Sequence, residues 1–338
     1  MVYNRFNNTP PASRKISAPR GVTHLKYLVL YFLNKISFQK PPLDYSQQVA
    51  LMQSRGLKID CVDTAVNCLS HFNYYRFSAY LRTFEVDPSS HQIQLGTTFD
   101  DVLNVYLFDR DLRLLMLDAI EQLEVSLRTQ LAYQLSHRYG AAHPHLQADL
   151  FSNQSSYVDG FVRLENEVKH SSEDFIRHLR TKYKEDLPPI WAVVELMTVG
   201  QLSRWFSNIK LRSDRRLIAS IYAVDEKILS SFFEHLSLVR NFAAHHSRLW
   251  NREFTKTMKI PRYGDPFLVS SFFHLPDHDR RLRKIYNTLT ISGYLLQVIS
   301  SNKDWIRKIK QLVAAYPVDV SKMGFPKDWL SRPVWLCV

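Results

Sequence analysis

Histidine and arginine crowd one short stretch, Val239-Arg240-Asn241-Phe242-Ala243-Ala244-His245-His246-Ser247-Arg248-Leu249-Trp250-Asn251-Arg252. Histidine is the side chain suited to moving protons near neutral pH. Arginine stays charged and binds phosphate through two parallel N–H donors. Together they suit contact with a phosphodiester. On one helix, His245, Arg248 and Arg252 lie at i, i+3 and i+7 and share a face. Arg240 and His245 are separated by about 140° on an ideal helix and converge only through arginine's reach or a local distortion. Val239, Phe242, Leu249 and the two alanines supply packing surface. The plain alternative is a helix with a wet basic face and one buried histidine. The density of His and Arg on a basic segment favours phosphodiester contact.

Such residues need a scaffold, and the composition says which kind. The chain has 338 residues and only nine glycines, no two of them close together. Phosphate loops, dinucleotide fingerprints and nucleophile elbows all need paired glycines, so these are excluded. A fold rich in tight β-turns is disfavoured for the same reason. The expectation is an all-α fold. Three cysteines, Cys61, Cys68 and Cys337, form neither a disulfide framework nor a zinc set. With no spanning apolar segment and no signal cleavage site, a reduced, cytoplasmic protein without membrane contact is expected.

The apolar spacing predicts the elements in order. A helix runs from a Ser46 cap to Arg55, with Gly56 as its stop. A second pattern covers 60–84. A long helix starts at Thr98 or Asp100 and reaches Tyr139, with Gly140 as its cap. Helical patterns follow over 157–184, 190–209 and 217–251. A loop-rich stretch covers 261–279, a last long helix starts at Arg281, and an aromatic tail packs as a clasp.

Charge is uneven along this framework. The formal net charge is +12. Residues 1–39 form a basic arm without an acidic residue, the middle of the chain is acidic, and the region after residue 200 is basic again. Two basic parts suit a polyanion, and interleaved aromatics favour nucleic acid.

Other constellations offer less. Glu121, Glu124 and Arg128 at i, i+3 and i+7 read mainly as a salt-bridged face; the functional alternative is a carboxylate that orients Arg240 and His245. Tyr74, Tyr75 and Arg76 either contact RNA, by stacking and charge, or place Tyr75 in the core and Arg76 in an internal ion pair, with equal weight. Trp191 and Glu195 read as structural. His143, His145 and Asp149 lack a fourth partner and read as a loop. His278-Asp279, with His274 before it, lies in a proline-bearing loop and reads as no phosphohydrolase site. No metal and no cofactor is expected.

The spacing Arg240-Asn241-x-x-x-His245 fits the R-x4–6-H motif of the HEPN superfamily, and the longer string resembles the signature of the Abi-like family of bacterial abortive-infection proteins (AbiD/AbiF type). Further blocks are similar in the same order: Lys40-Pro41-Pro42-Leu43, Ser54-Arg55-Gly56-Leu57, the run from Asn73 to Tyr80, Phe108-Asp109-Arg110-x-Leu112-Arg113, Ala119-Ile120-Glu121-x-x-Glu124-x-x-x-Arg128, Trp191-x-x-x-Glu195 with Gly200-x-Leu202-Ser203, and Met323-Gly324-Phe325-Pro326-x-Asp328-Trp329. The family pattern has Ser-Gly-Tyr where this chain has Ser78-Ala79-Tyr80. The resemblance covers roughly residues 40–336. It implies a HEPN-type helical bundle with additional N-terminal helices and a C-terminal clasp, with parts over about 40–156 and 157–338.

The resemblance also implies a function. This is a metal-independent endoribonuclease toxin of an abortive-infection (antiviral defence) or toxin–antitoxin system, a homodimer restrained by a small noncoding RNA. The alternative is a non-cleaving HEPN protein that assembles with such an RNA. In the nuclease, the ribose 2′-OH attacks and a 2′,3′-cyclic phosphate is left. His245 is the general acid or base, with His246 as the alternate. Arg240 stabilises the phosphorane. Asn241 orients the histidine or phosphate. Arg248 and Arg252 grip flanking phosphates. On charge alone, with the arm lying outside the resemblance, Arg14, Lys15, Arg20, Lys256 and Lys259 suit further contacts to RNA.

Overall fold

The computed structural model describes residues 38–87, 89–273, 275–276, 278–300 and 303–336. Arg14, Lys15, Arg20 and His274 lie outside the described residues. The described chain is all-α apart from a two-stranded hairpin. Contacts divide it into two compact units, one ending at Leu103 and the other starting at Asn104. The division falls inside the longest helix.

The first unit opens with α1 (Tyr45–Ser54). Its cap is Asp44, not Ser46. The Asp44 carboxylate accepts from Gln47 N at 2.8 Å, and the Gln47 side chain accepts from Asp44 N at 3.0 Å. This reciprocal box satisfies two N–H groups that a helix start otherwise leaves unpaired. The pattern over 60–84 resolves into α2 (Val62–His71) and α3 (Tyr74–Leu81). Asn73 divides them, because its side chain accepts from Tyr75 N at 2.8 Å and begins a new helix. A short antiparallel hairpin, β1 (Glu85–Asp87) and β2 (Gln92–Ile93), follows. Met52, Ala65, Leu69, Phe77 and Leu81 form the core of this unit. Phe77 stacks on Phe99 at 4.8 Å.

The long helix α4 (Phe99–Tyr139) has the ends that the sequence predicts. Thr98 and Asp101 cap its start, and Gly140 stops it at φ +59. Within the second unit, α4 buries Phe108, Leu112, Met116, Ala119, Leu123 and Leu127 at helical spacing. Next come α5 (Gln154–His170), α6 (Asp174–Lys182), α7 (Ile190–Val193), α8 (Val199–Asn208), α9 (Arg212–Ser220) and α10 (Glu226–Ala244). Capped turns and short 3₁₀ stretches interrupt the longer helices expected over 157–184, 190–209 and 217–251. α8 packs along α10. After α11 (Pro266–Val269) come α12 (Tyr286–Ser300), α13 (Asp304–Ala315) and α14 (Pro333–Leu336).

The tail is a clasp. Trp335 is fully buried and stacks on Tyr286, their rings 6.0 Å apart. Val334 N donates to Ser271 Oγ at 2.9 Å, and Arg332 Nη1 donates to the Phe272 carbonyl at 2.8 Å.

Candidate active site

The His/Arg segment belongs to α10 and the turn behind it. Asp225 caps the start of α10, its side chain accepting from Lys227 N at 2.9 Å. Leu229, Phe232, Phe233, Leu236, Val239 and Ala243 are buried at i, i+3, i+4 and i+7 spacing. That stripe fixes the roll of the helix. Arg240 is left half-buried and Asn241 exposed. Arg240 Nη1 donates to Asn241 Oδ1 at 3.5 Å.

The helix stops at Ala244. His245 is its C-cap, with φ −88 and ψ 15. His246 adopts the left-handed region at φ +55. Ser247 N then donates to the Phe242 carbonyl at 2.8 Å, and His246 N to the Ala243 carbonyl at 3.1 Å. These are the two bonds of a Schellman motif. Its left-handed position usually belongs to glycine, and histidine is among the few other residues that enter it readily. This corrects one expectation: the helix does not continue through Arg252, so His245, Arg248 and Arg252 do not share a helical face. Both imidazoles, His245 and His246, are instead exposed at the helix end. This is the carbonyl end of the macrodipole, which does not attract an anion. A phosphate here must be held by cationic side chains.

The turn is anchored from below. Leu249 and Trp250 are buried. Their backbone N–H groups both donate to Asp109 Oδ1, at 3.0 and 2.6 Å. Asp109 is itself fully buried, and its other oxygen accepts from Arg113 Nη1 at 2.5 Å. One carboxylate on α4 thus holds the segment that follows the histidines. Asp109 and Arg113 had no role assigned from the sequence. The signal was present, since two opposite charges four apart sit in the apolar stripe of Val105, Phe108, Leu112 and Met116. Charges at core positions demand partners.

The remaining basic residues divide. Arg252 lies over the Phe242 ring at 4.0 Å, and its Nε donates to the Arg248 carbonyl at 2.5 Å. Both Arg248 and Arg252 are half-buried. Lys256 pairs with Glu234. Lys259 is exposed, and its backbone N donates to Ser231 Oγ at 3.0 Å.

Glu124 adds an acidic group to the surroundings of Arg240. It pairs with Arg128. Arg128 Nη2 also donates to the Met197 carbonyl at 2.8 Å, and Nη1 lies 3.6 Å from Glu195. Burial raises the Glu124 carboxyl above its usual range, against the pull of Arg128 and Arg240. The Glu124–Arg128 part of the salt-bridged face expected of this helix is therefore present, with Glu195 rather than Glu121 as the second carboxylate near Arg128, and Arg240 acts on Glu124.

The other histidines behave differently. His235 is buried, with Nδ1 2.7 Å from the Lys256 carbonyl and Nε2 2.8 Å from Thr288 Oγ1. Burial lowers its pKa. His145 is fully buried in the short 3₁₀ turn Pro144–Leu146, and burial with the nearby His143 pushes its pKa down to about 3. Arg281 binds the Asp279 carboxylate through its backbone and guanidinium, holding it at about 2. Among the described residues no group of three His, Cys, Asp or Glu could hold a metal ion. No helix among them is long and apolar enough to cross a membrane.

In the first unit, Tyr74 OH accepts from Arg55 Nη1 at 2.9 Å. Tyr75 is 71% exposed and Arg76 is exposed. Tyr75 is therefore not a core residue.

A comparison with protein families covers the middle of this run of motifs; the blocks before residue 67 and after residue 251 lie outside it. A search of curated proteins and of solved structures found no match. A family model described as Abi-like protein matches residues 67–251, which include the Asp109 anchor, the Glu124–Arg128 pair and the Arg240–His245 turn. That is more than half of the sequence, and the chain belongs to the family of Abi-like proteins.

Proposed function

We propose that the chain is a HEPN-type endoribonuclease that acts in abortive infection, cutting RNA without a metal. The observation that carries this reading is the α10 end. Arg240 precedes an exposed C-cap histidine, and a buried carboxylate fixes the following turn from behind. A turn anchored by a buried carboxylate, presenting a proton-transfer group five residues after a permanent cation, suits phosphodiester chemistry.

The reaction starts at a ribose 2′-OH. His245 takes its proton as the 2′ oxygen attacks the adjacent phosphorus. The phosphorus passes through a pentavalent arrangement with extra negative charge, which the Arg240 guanidinium stabilises. The bond to the 5′ oxygen breaks, a proton returns to that oxygen, and a 2′,3′-cyclic phosphate remains. Asn241, bonded to Arg240, holds the guanidinium in position. Arg248 contacts a flanking phosphate, and Arg252 braces it through its bond to the Arg248 carbonyl. A second copy of the chain contributes its own Arg240 and His245, so the working form is a homodimer. A small noncoding RNA restrains the toxin in uninfected cytoplasm.

The test is growth during phage challenge. Cells carrying the wild-type chain arrest on infection, and cells carrying Arg240→Ala or His245→Ala at equal protein level do not. Equal arrest by all three chains would contradict the assignment.

A further inference from the structure

The first unit holds an open groove of about 1130 Å³ that the Arg240–His245 chemistry does not use. Its walls come from the segment before α1, from α1 itself and from α3. Three aromatic rings face into open space there: Phe38 at 73% exposure, Tyr45 at 45% and Tyr75 at 71%. Exposed rings gathered in one groove are unusual, because a ring left in water gives up the burial that stabilises it elsewhere. Cations share the groove with them. Lys40, Arg55 and Arg82 line the same groove. The Arg55 side chain is held by its bond to Tyr74 OH at 2.9 Å. The one acidic lining residue, Glu85, lies 3.0 Å from His91.

We infer that this groove binds single-stranded RNA, with bases stacked on the rings and phosphates on the cations. Every base has a π-face, so such a site takes a strand with little regard to sequence. The groove is larger than a small-molecule pocket, which fits a strand of several nucleotides. Two other occupants fit worse. The chain's own residues 1–37 carry basic residues and no acidic one, so their charge repels the groove's cations. An acidic peptide satisfies the cations but leaves the rings uncovered. The inference extends the RNA reading above without needing cleavage, since binding and cutting are assigned to different residues.

The test uses the full chain carrying His245→Ala, so that RNA stays intact, and a fluorescein-labelled oligouridine of about 12 nucleotides, within the usual site sizes. Tyr75→Ala weakens binding about fivefold or more, the stacking contribution of one base, while Tyr75→Phe keeps the ring and binds as the parent does. Arg82→Gln lowers the slope of log affinity against log salt by about 0.7, the value for one single-strand phosphate contact. Tyr75 is an exposed side chain, so its loss leaves the fold intact, which thermal unfolding checks. Unchanged affinity in Tyr75→Ala and Arg82→Gln, or tighter capture of an oligoglutamate peptide than of RNA, overturns the inference. Cutting by the His245→Ala chain would overturn the cleavage reading alone and leave these binding curves to decide the groove.

Discussion

His235 and His245 sit on the same helix, ten residues apart, and the structure treats them in opposite ways. His235 lies on the buried stripe of α10 and has both ring nitrogens in hydrogen bonds, to the Lys256 carbonyl and to Thr288 Oγ1. Its burial disfavours the charged form. His245 caps the same helix and points into water. One is a polar strut of the core, and the other is available to a substrate. Identity alone does not separate them; their positions relative to the apolar stripe and to the helix end do. Sites able to move protons need access as well as chemistry, and the left-handed turn at His246 supplies it.

The largest effect falls beneath the comparison, at the anchor. Asp109→Ala removes a buried carboxylate and leaves Arg113 and two backbone N–H groups without it. Losing one partner of a buried pair costs about 3–5 kcal/mol. Chemical denaturation should show that loss, and cleavage should fall with it. An Asp109→Ala chain as stable as wild type would mean that the turn is held some other way.

The buried histidines make stability depend on pH. His145 has a pKa near 3 in the folded chain and an ordinary value of 6.5. Below 6.5 the unfolded chain takes up a proton that the folded chain refuses. Stability is therefore full above 6.5 and falls as the pH drops toward 3, by up to about 1.4 kcal/mol per pH unit. His235 adds to the loss in the same direction, since its pKa is also lowered. Thermal unfolding across this window should show a shallower dependence in His145→Leu. An identical dependence would remove His145 from the account.

The direct contrast comes next. His235→Ala strands the Thr288 hydroxyl and the Lys256 carbonyl and should destabilise the protein by about 1–3 kcal/mol. His245→Ala, at an exposed cap, should change stability by less than about 0.5 kcal/mol while abolishing cleavage. Reversal of that pattern would dissolve the distinction between strut and reactive group. The smallest change is expected from His246→Gly. Glycine suits the left-handed position, so stability should stay within about 1 kcal/mol of wild type. Cleavage should persist if His245 alone moves the proton. Loss of cleavage in this variant would transfer that role to His246.

Much of this arrangement was legible in the sequence. The ends of α4 were, because Thr98 and Gly140 are ordinary start and stop signals, and so was the aromatic clasp. The end of α10 was not. Two alanines precede it, no glycine follows, and the stop is a histidine in a conformation that glycine normally takes. The same gap hid the loss of a shared face for His245, Arg248 and Arg252. Asp109 stood in plain view as a charge among apolar neighbours, but its partners, Leu249 and Trp250, lie 140 and 141 residues away. A contact of that separation leaves no local pattern. The breaks inside the expected helices were hidden for a related reason: Asn73 and Thr198 are polar residues that fit a helix surface as well as a cap, and only backbone geometry tells which they are.

The central claim is that Arg240 and His245 form a metal-independent ribonuclease centre. It is tested most directly by incubating purified protein, stripped of bound RNA, with total bacterial RNA in the presence of a chelator. Wild type should cut and leave 2′,3′-cyclic phosphate ends, and Arg240→Ala and His245→Ala should not. Cleavage that survives in either variant, or that appears only when a divalent metal is restored, would contradict the account.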